Sequence, residues 1–189
     1  GRATACLSTQ VGCAMGCRFC RTGSLGFSRD LGANEIVDQF LLLRAFWRNF
    51  TSPPGGQELP KGPGDRDSVD FSDIHSSDIA GVVFMGMGEP LANPDNLRQA
   101  IEVLHYSGFS QRRITVSTCG LVEGIRALAA GGLTVRLAIS LISADREVRT
   151  RLMPINRSNP LPRLREALLD YQKILGKRIT LEIVLMAGN

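Results

Sequence analysis

The sequence predicts an α/β fold: a partial, open parallel βα barrel of about five βα units. Three observations carry that expectation. Short apolar runs alternate with amphipathic helical patterns from residue 79 onward, the order that parallel βα units with right-handed crossovers produce. The runs are continuously apolar, as in strands covered on both faces. With the stretch at 5–11, five such runs can be counted and the chain stops right after the fifth, so no closed barrel is expected.

The elements follow in order. Residues 5–11 form a strand-like stretch ending at Gly12, and a cysteine-rich loop comes next. Ile36, Phe40, Leu43, Trp47 and Phe50 recur every three or four residues, predicting one apolar helical face. Asn34 is the expected cap, with Glu35 in the acidic first turn. Residues 51–79 carry clustered Pro and Gly, then Asp65, Asp67, Asp70, Asp73 and Asp78. They read as a surface loop inserted into the domain. Residues 79–85 are the next strand, and Asn93-Pro94 opens a helix through Leu97, Ile101 and Leu104 to Gly108. Strands are predicted at 114–117 and 135–140, with a helix at 122–130 between them. Asp145 opens another short helix. Residues 161–175 read as a helix with Pro162 in its first turn and Gly176 just past its end. Residues 179–186 are the last strand.

At 189 residues and 43% hydrophobic composition, the chain has the size and make-up of one globular domain. It holds no apolar stretch of about 18 residues, which argues against a membrane span. No charged segment followed by an apolar one opens the chain, so a cytoplasmic location without a membrane partner is expected. The net charge of +4 is compatible with a nucleic-acid partner without requiring one. Three of the five cysteines crowd into residues 13–20. That favours thiolate metal ligands in a reducing compartment over a disulfide framework.

Cys13, Cys17 and Cys20 form a C-x3-C-x2-C pattern. One loop with this spacing can place three thiolates on three corners of an iron–sulfur cubane, leaving the fourth iron open. Gly12 and Gly16 let the loop fold tightly. The competing reading is a structural zinc site, which needs a fourth ligand such as His75, His105, Cys6 or Cys119 brought close in space.

C-x3-C-x2-C with an aromatic before its last cysteine resembles the signature of the radical S-adenosylmethionine (SAM) superfamily. Further stretches are similar to the RlmN/Cfr group of adenine methyltransferases. These are Cys6 to Cys13, Gly26-Phe27, Glu35-Ile36-Val37, Met85-Gly86-Met87-Gly88-Glu89-Pro90, Ile114 to Gly120, and Arg151-Leu152-Met153-Pro154-Ile155-Asn156. The resemblance covers nearly the whole chain except 51–79. It implies that residues 1–189 are a radical SAM core with about five of six βα units. It also implies a [4Fe-4S] cluster on Cys13, Cys17 and Cys20, with SAM held by Gly88, Glu89, Ser117 and Ser140.

The implied reaction is methylation of carbon 2 of an adenine in 23S ribosomal RNA, with transfer RNA as a further candidate substrate. An electron donor such as flavodoxin or ferredoxin is implied as a second partner. In the resembled group a methyl-carrying cysteine becomes joined to the adenine, and the residue matching Cys6 attacks that thioether sulfur, forming a disulfide and releasing product. The methyl-carrying cysteine lies beyond the sixth strand of that group, so residues 1–189 alone are expected to be inactive. Cys119 is read as core packing.

One departure is Ile142, where the group usually has histidine; a polar contact to SAM is lost there. Arg112, Arg113, Arg146, Arg149, Arg151 and Arg157 are candidate contacts to RNA phosphates. Two other functions compete: a radical SAM enzyme abstracting hydrogen from a protein or small molecule, and an inactive RNA-binding or electron-transfer module.

Overall fold

The computed structural model describes residues 3–51 and 79–185; the expectations for the 51–79 insertion lie almost wholly outside the described residues. Five parallel strands form one sheet: β1 (Ala3–Leu7), β4 (Ile79–Phe84), β5 (Ile114–Thr118), β6 (Arg136–Ser140) and β7 (Ile179–Glu182), in that spatial order. A short antiparallel pair, β2 (Gln10–Gly12) and β3 (Phe27–Asp30), brackets the cysteine loop and its single-turn helix α1 (Arg21–Ser24). The predicted strand at 5–11 therefore splits in two. The Thr9 and Gln10 N–H groups both donate to the Met87 carbonyl, which turns the chain out of the large sheet after Leu7.

The helices are α2 (Ala33–Thr51), α3 (Pro94–Tyr106), α4 (Val122–Ala130), α5 (Arg146–Leu152) and α6 (Leu161–Leu175). None among the described residues is long and apolar enough to cross a membrane. Helices α2, α3, α4 and α6 bury Ile36, Phe40, Leu97, Ile101, Ile125 and Leu164 against Ala5, Leu7, Val82, Phe84, Val116, Leu137 and Ile139 of the sheet. Phe40 and Phe109 meet edge to face at 5.3 Å between ring centres.

Two expectations need correction. The sheet is covered on one face only among the described residues. Thr4, Cys6, Arg136 and Thr180 are exposed on the other face, which is the concave inside of an unclosed barrel. In α2, Asn34 lies inside the helix rather than at its cap. Leu43 is exposed while Arg44 is buried on the inner face, because the aliphatic stem of an arginine packs as well as a leucine where its head finds partners.

Candidate active site

The site sits at the carboxyl ends of the parallel strands, where ligands of βα folds bind. One cavity there is lined by Cys13, Cys17 and Cys20 of the loop, by Gly86, Gly88 and Glu89 after β4, by Ser117, Thr118 and Cys119 at the end of β5, by Ser140 at the end of β6, and by Met153. Seven of the eight residues expected at the site thus share one cavity. Cys6 does not line it. Its thiol is exposed, with its Cα in register with Val83, on the concave sheet face.

The loop is shaped by a few backbone bonds. The Cys13 N–H donates to the Gly26 carbonyl at 2.9 Å and the Arg18 N–H to the Leu152 carbonyl at 2.9 Å. Gly12 has φ +80, and a Cβ there would lie 2.0 Å from the Gly26 oxygen; only glycine fits. Burial, with the charges of Cys20 and Glu89 behind it, raises the Cys13 thiol, and burial with neighbouring Cys13 and Cys20 pushes Cys17 up to about 11. The Cys13 and Cys17 thiols, which resist ionising side by side, are relieved by a cationic group bound next to them.

Gly88 lines the cavity and also has a structural job. At φ +104 its missing side chain makes room for Gln10, whose Cβ would lie 2.6 Å from a side chain at position 88. The glycine lets β2 pack against the loop after β4. The Glu89 N–H then donates to Gln10 Oε1 at 2.8 Å. The Glu89 carboxylate is buried and accepts from the Leu91 N–H at 3.0 Å and the Cys119 N–H at 2.8 Å, joining the ends of β4 and β5. Burial raises its pKa despite those donors. The Thr118 and Cys119 side chains also hydrogen-bond to this carboxylate.

Three functional features escaped sequence reasoning. Ser117 and Ser140 both donate to Oε2 of Glu182, at 3.2 and 3.4 Å, making a polar trio across β5, β6 and β7. The one available signal was a lone acid in an apolar run. Arg149 is fully buried rather than facing RNA. Its guanidinium donates to the carbonyls of Cys119, Ser140 and Leu141 at 2.8, 3.1 and 2.8 Å and to Asn156 Oδ1 at 3.1 Å. It therefore clamps the ends of β5 and β6. Ile142 has φ +65, a strained conformation for a β-branched residue, while its N–H donates to the Glu182 carbonyl. Cys119 packs with Ile142 and Met153, the core role expected of it.

Among the described residues no three His, Cys, Asp or Glu side chains gather closely enough to hold a single metal ion. His105, in the last turn of α3, does not line the cavity, and His75 lies outside the described residues. Of the candidate fourth zinc ligands Cys119 does line the cavity, but it gathers with no pair of the other cysteines around one point. A cubane binds its thiolates on separate irons, so three cysteines that open on one cavity without converging on a single point fit that group better.

Residues 71–189 match the sequence profile of the radical SAM superfamily. The chain belongs to the radical SAM superfamily. Its fold is that of a solved relative, the radical SAM methyltransferase from Sphaerobacter thermophilus, with a TM-score of 0.82 and 36% identity over 99% of this chain and 48% of the other. The "Probable dual-specificity RNA methyltransferase RlmN" of Roseiflexus sp. is 42% identical over 100% of this chain and 51% of its own length. The "Dual-specificity RNA methyltransferase RlmN" of Syntrophobacter fumaroxidans is 44% identical over 99% and 48%. This radical SAM chain spans about half the length of the curated relatives it matches.

Proposed function

We propose that the chain is the radical SAM core domain, with 51–79 as an insertion, of a methyltransferase acting on RNA in the cytoplasm. Its target is carbon 2 of an adenine in 23S ribosomal RNA, with transfer RNA a second substrate. The observation that carries this reading is the single cavity shared by Cys13, Cys17, Cys20, Gly88, Glu89, Ser117 and Ser140, in a chain whose relatives bear RNA methyltransferase names.

Cys13, Cys17 and Cys20 would hold a [4Fe-4S] cluster, and the chemistry supplied when it is bound is one-electron reductive cleavage of SAM, fed by a flavodoxin or ferredoxin. Glu89 offers its carboxylate to the amino group of SAM through a charge-assisted bond. Ser117 and Ser140 present hydroxyls to the rest of the cofactor. Cys6, exposed on the concave face, serves product release by thiol attack.

Anaerobic reconstitution with iron and sulfide, then dithionite and SAM, tests the first half. About four irons per chain and 5′-deoxyadenosine are expected; one zinc and untouched SAM would overturn the reading. For the second half, Cys6→Ala in the intact protein should stop RNA product release while leaving SAM cleavage in place. Unchanged turnover would instead favour a hydrogen-abstracting enzyme on another substrate.

A further inference from the structure

Beside the cysteine-lined cavity lies a second, open groove of about 580 Å3, bordered by Arg18, Arg146, Glu147, Thr150, Arg151 and Arg157. Its arginines come from two distant parts of the chain: Arg18 from the cysteine loop, the others from α5 and the 3-10 turn Pro154–Arg157 behind it. All four are exposed.

The groove has a fixed frame. The Arg18 N–H donates to the Leu152 carbonyl. Asp145 caps α5 by accepting from the Glu147 and Val148 N–H groups at 2.8 Å, and Asn156 Nδ2 donates to Thr150 Oγ1 at 2.7 Å. The frame therefore holds the cations together despite their mutual repulsion.

The charge balance separates this groove from other basic surface. Arg29, Arg98, Arg126 and Arg163 each meet a carboxylate, at 2.8–3.4 Å. The guanidiniums of Arg18, Arg146 and Arg157 meet none within ion-pair distance among the described residues, although Glu147 is on the same rim. An open polar trough with four cations and one anion suits a strand of successive phosphates better than one small anion, which an enclosed pocket would hold.

Position adds the last step. Arg18 lies between Cys17 and Cys20, and Leu152 adjoins Met153; all three of those neighbours line the cavity. We propose that this groove binds the phosphate backbone of the RNA substrate and fixes it at the lip of the active site. The proposal rests on the RNA reading above. It also sorts five of the six arginines singled out in the sequence; the sixth, Arg112, is exposed outside the groove. Arg146, Arg151 and Arg157 bind, joined by Arg18. Arg149 is buried, and Arg113 is spent on the Ile79 and Ala80 carbonyls and the Phe109 ring.

The test is fluorescence anisotropy of the intact protein with a short labelled RNA hairpin carrying a loop adenine, across a potassium chloride series. Each phosphate contact contributes roughly 0.7–0.9 to the slope of log K against log salt. R146Q/R151Q/R157Q should therefore lower that slope by about 2 and weaken binding roughly tenfold or more at low salt. The same three positions changed to Lys should keep the slope, and E147K should steepen it by about 0.7–0.9 and tighten binding. The E147K result decides the matter if the glutamine variant folds poorly. Unchanged slopes in E147K and in a folded glutamine variant would overturn the groove assignment alone. No binding by the unaltered protein would overturn the RNA reading itself, and the groove with it.

Discussion

The cysteine loop and the sheet body face each other across one cavity but are held in different ways. In β4, β5 and β6 the buried residues Val82, Phe84, Ile114, Val116, Leu137 and Ile139 all belong to one continuous core. In the loop, α1 buries nothing and every residue of β3 is exposed. Only Met15 and Cys17 lean on a small apolar group around Cys119, Ile142 and Met153. The body is thus set by area removed from water. The loop is set by a handful of backbone bonds, by glycine geometry and, when it is bound, by the cluster. Stability and cofactor chemistry should therefore be separable by mutation.

The sharpest break comes from the body. Phe84→Ala should cost about 3–5 kcal/mol in urea unfolding of the protein, because it empties a fully buried site. Next, Arg149→Met should cost about 2–3 kcal/mol in the same measurement, since it strands the Cys119, Ser140 and Leu141 carbonyls without their donor. A neutral result there would mean that the carbonyls find water. Gly12→Ala tests the junction between the regions, with roughly 1–3 kcal/mol of strain and poor iron uptake on reconstitution. Cys17→Ser should change the stability of the metal-free protein by no more than about 0.5 kcal/mol, yet abolish iron loading. A large loss of stability would show that the loop is part of the core after all.

The smallest effect concerns pH. Arg29, then the Gly32 N–H, holds the Glu35 carboxyl down to about 2. A carboxyl lowered on folding adds stability above its unfolded pKa near 4.5 and loses it as pH falls toward 2. Melting temperature should therefore drop less steeply over that range in Glu35→Gln. Because the pair is exposed, added salt should shrink the difference.

The same contrast explains what was legible in the sequence. Helices α4 and α6 were readable to the residue, because an apolar pattern and a closing glycine, with Pro162 in the first turn of α6, agree within one segment. So were the three cysteines and the glycine–glutamate turn, whose spacing is local. The split of the first strand was not, since the Met87 carbonyl that bends it comes from far along the chain. Arg149 and Glu182 were missed for a related reason. Each looks like a surface charge within its own element. Only the side-by-side strand ends turn one into a clamp on carbonyls and the other into the acceptor for two serines.

Strand β7 carries a consequence for handling the protein. Among the described residues it is paired only with β6, and Leu181, Ile183 and Leu185 beside it are exposed. Such an open border is a template for foreign strands. In concentrated or warmed samples of residues 1–189 prepared on their own, turbidity should begin by stacking of molecules along this border while the helical signal is still intact. Charged substitutions such as Leu181→Lys or Ile183→Lys should delay that clouding without moving the folding midpoint.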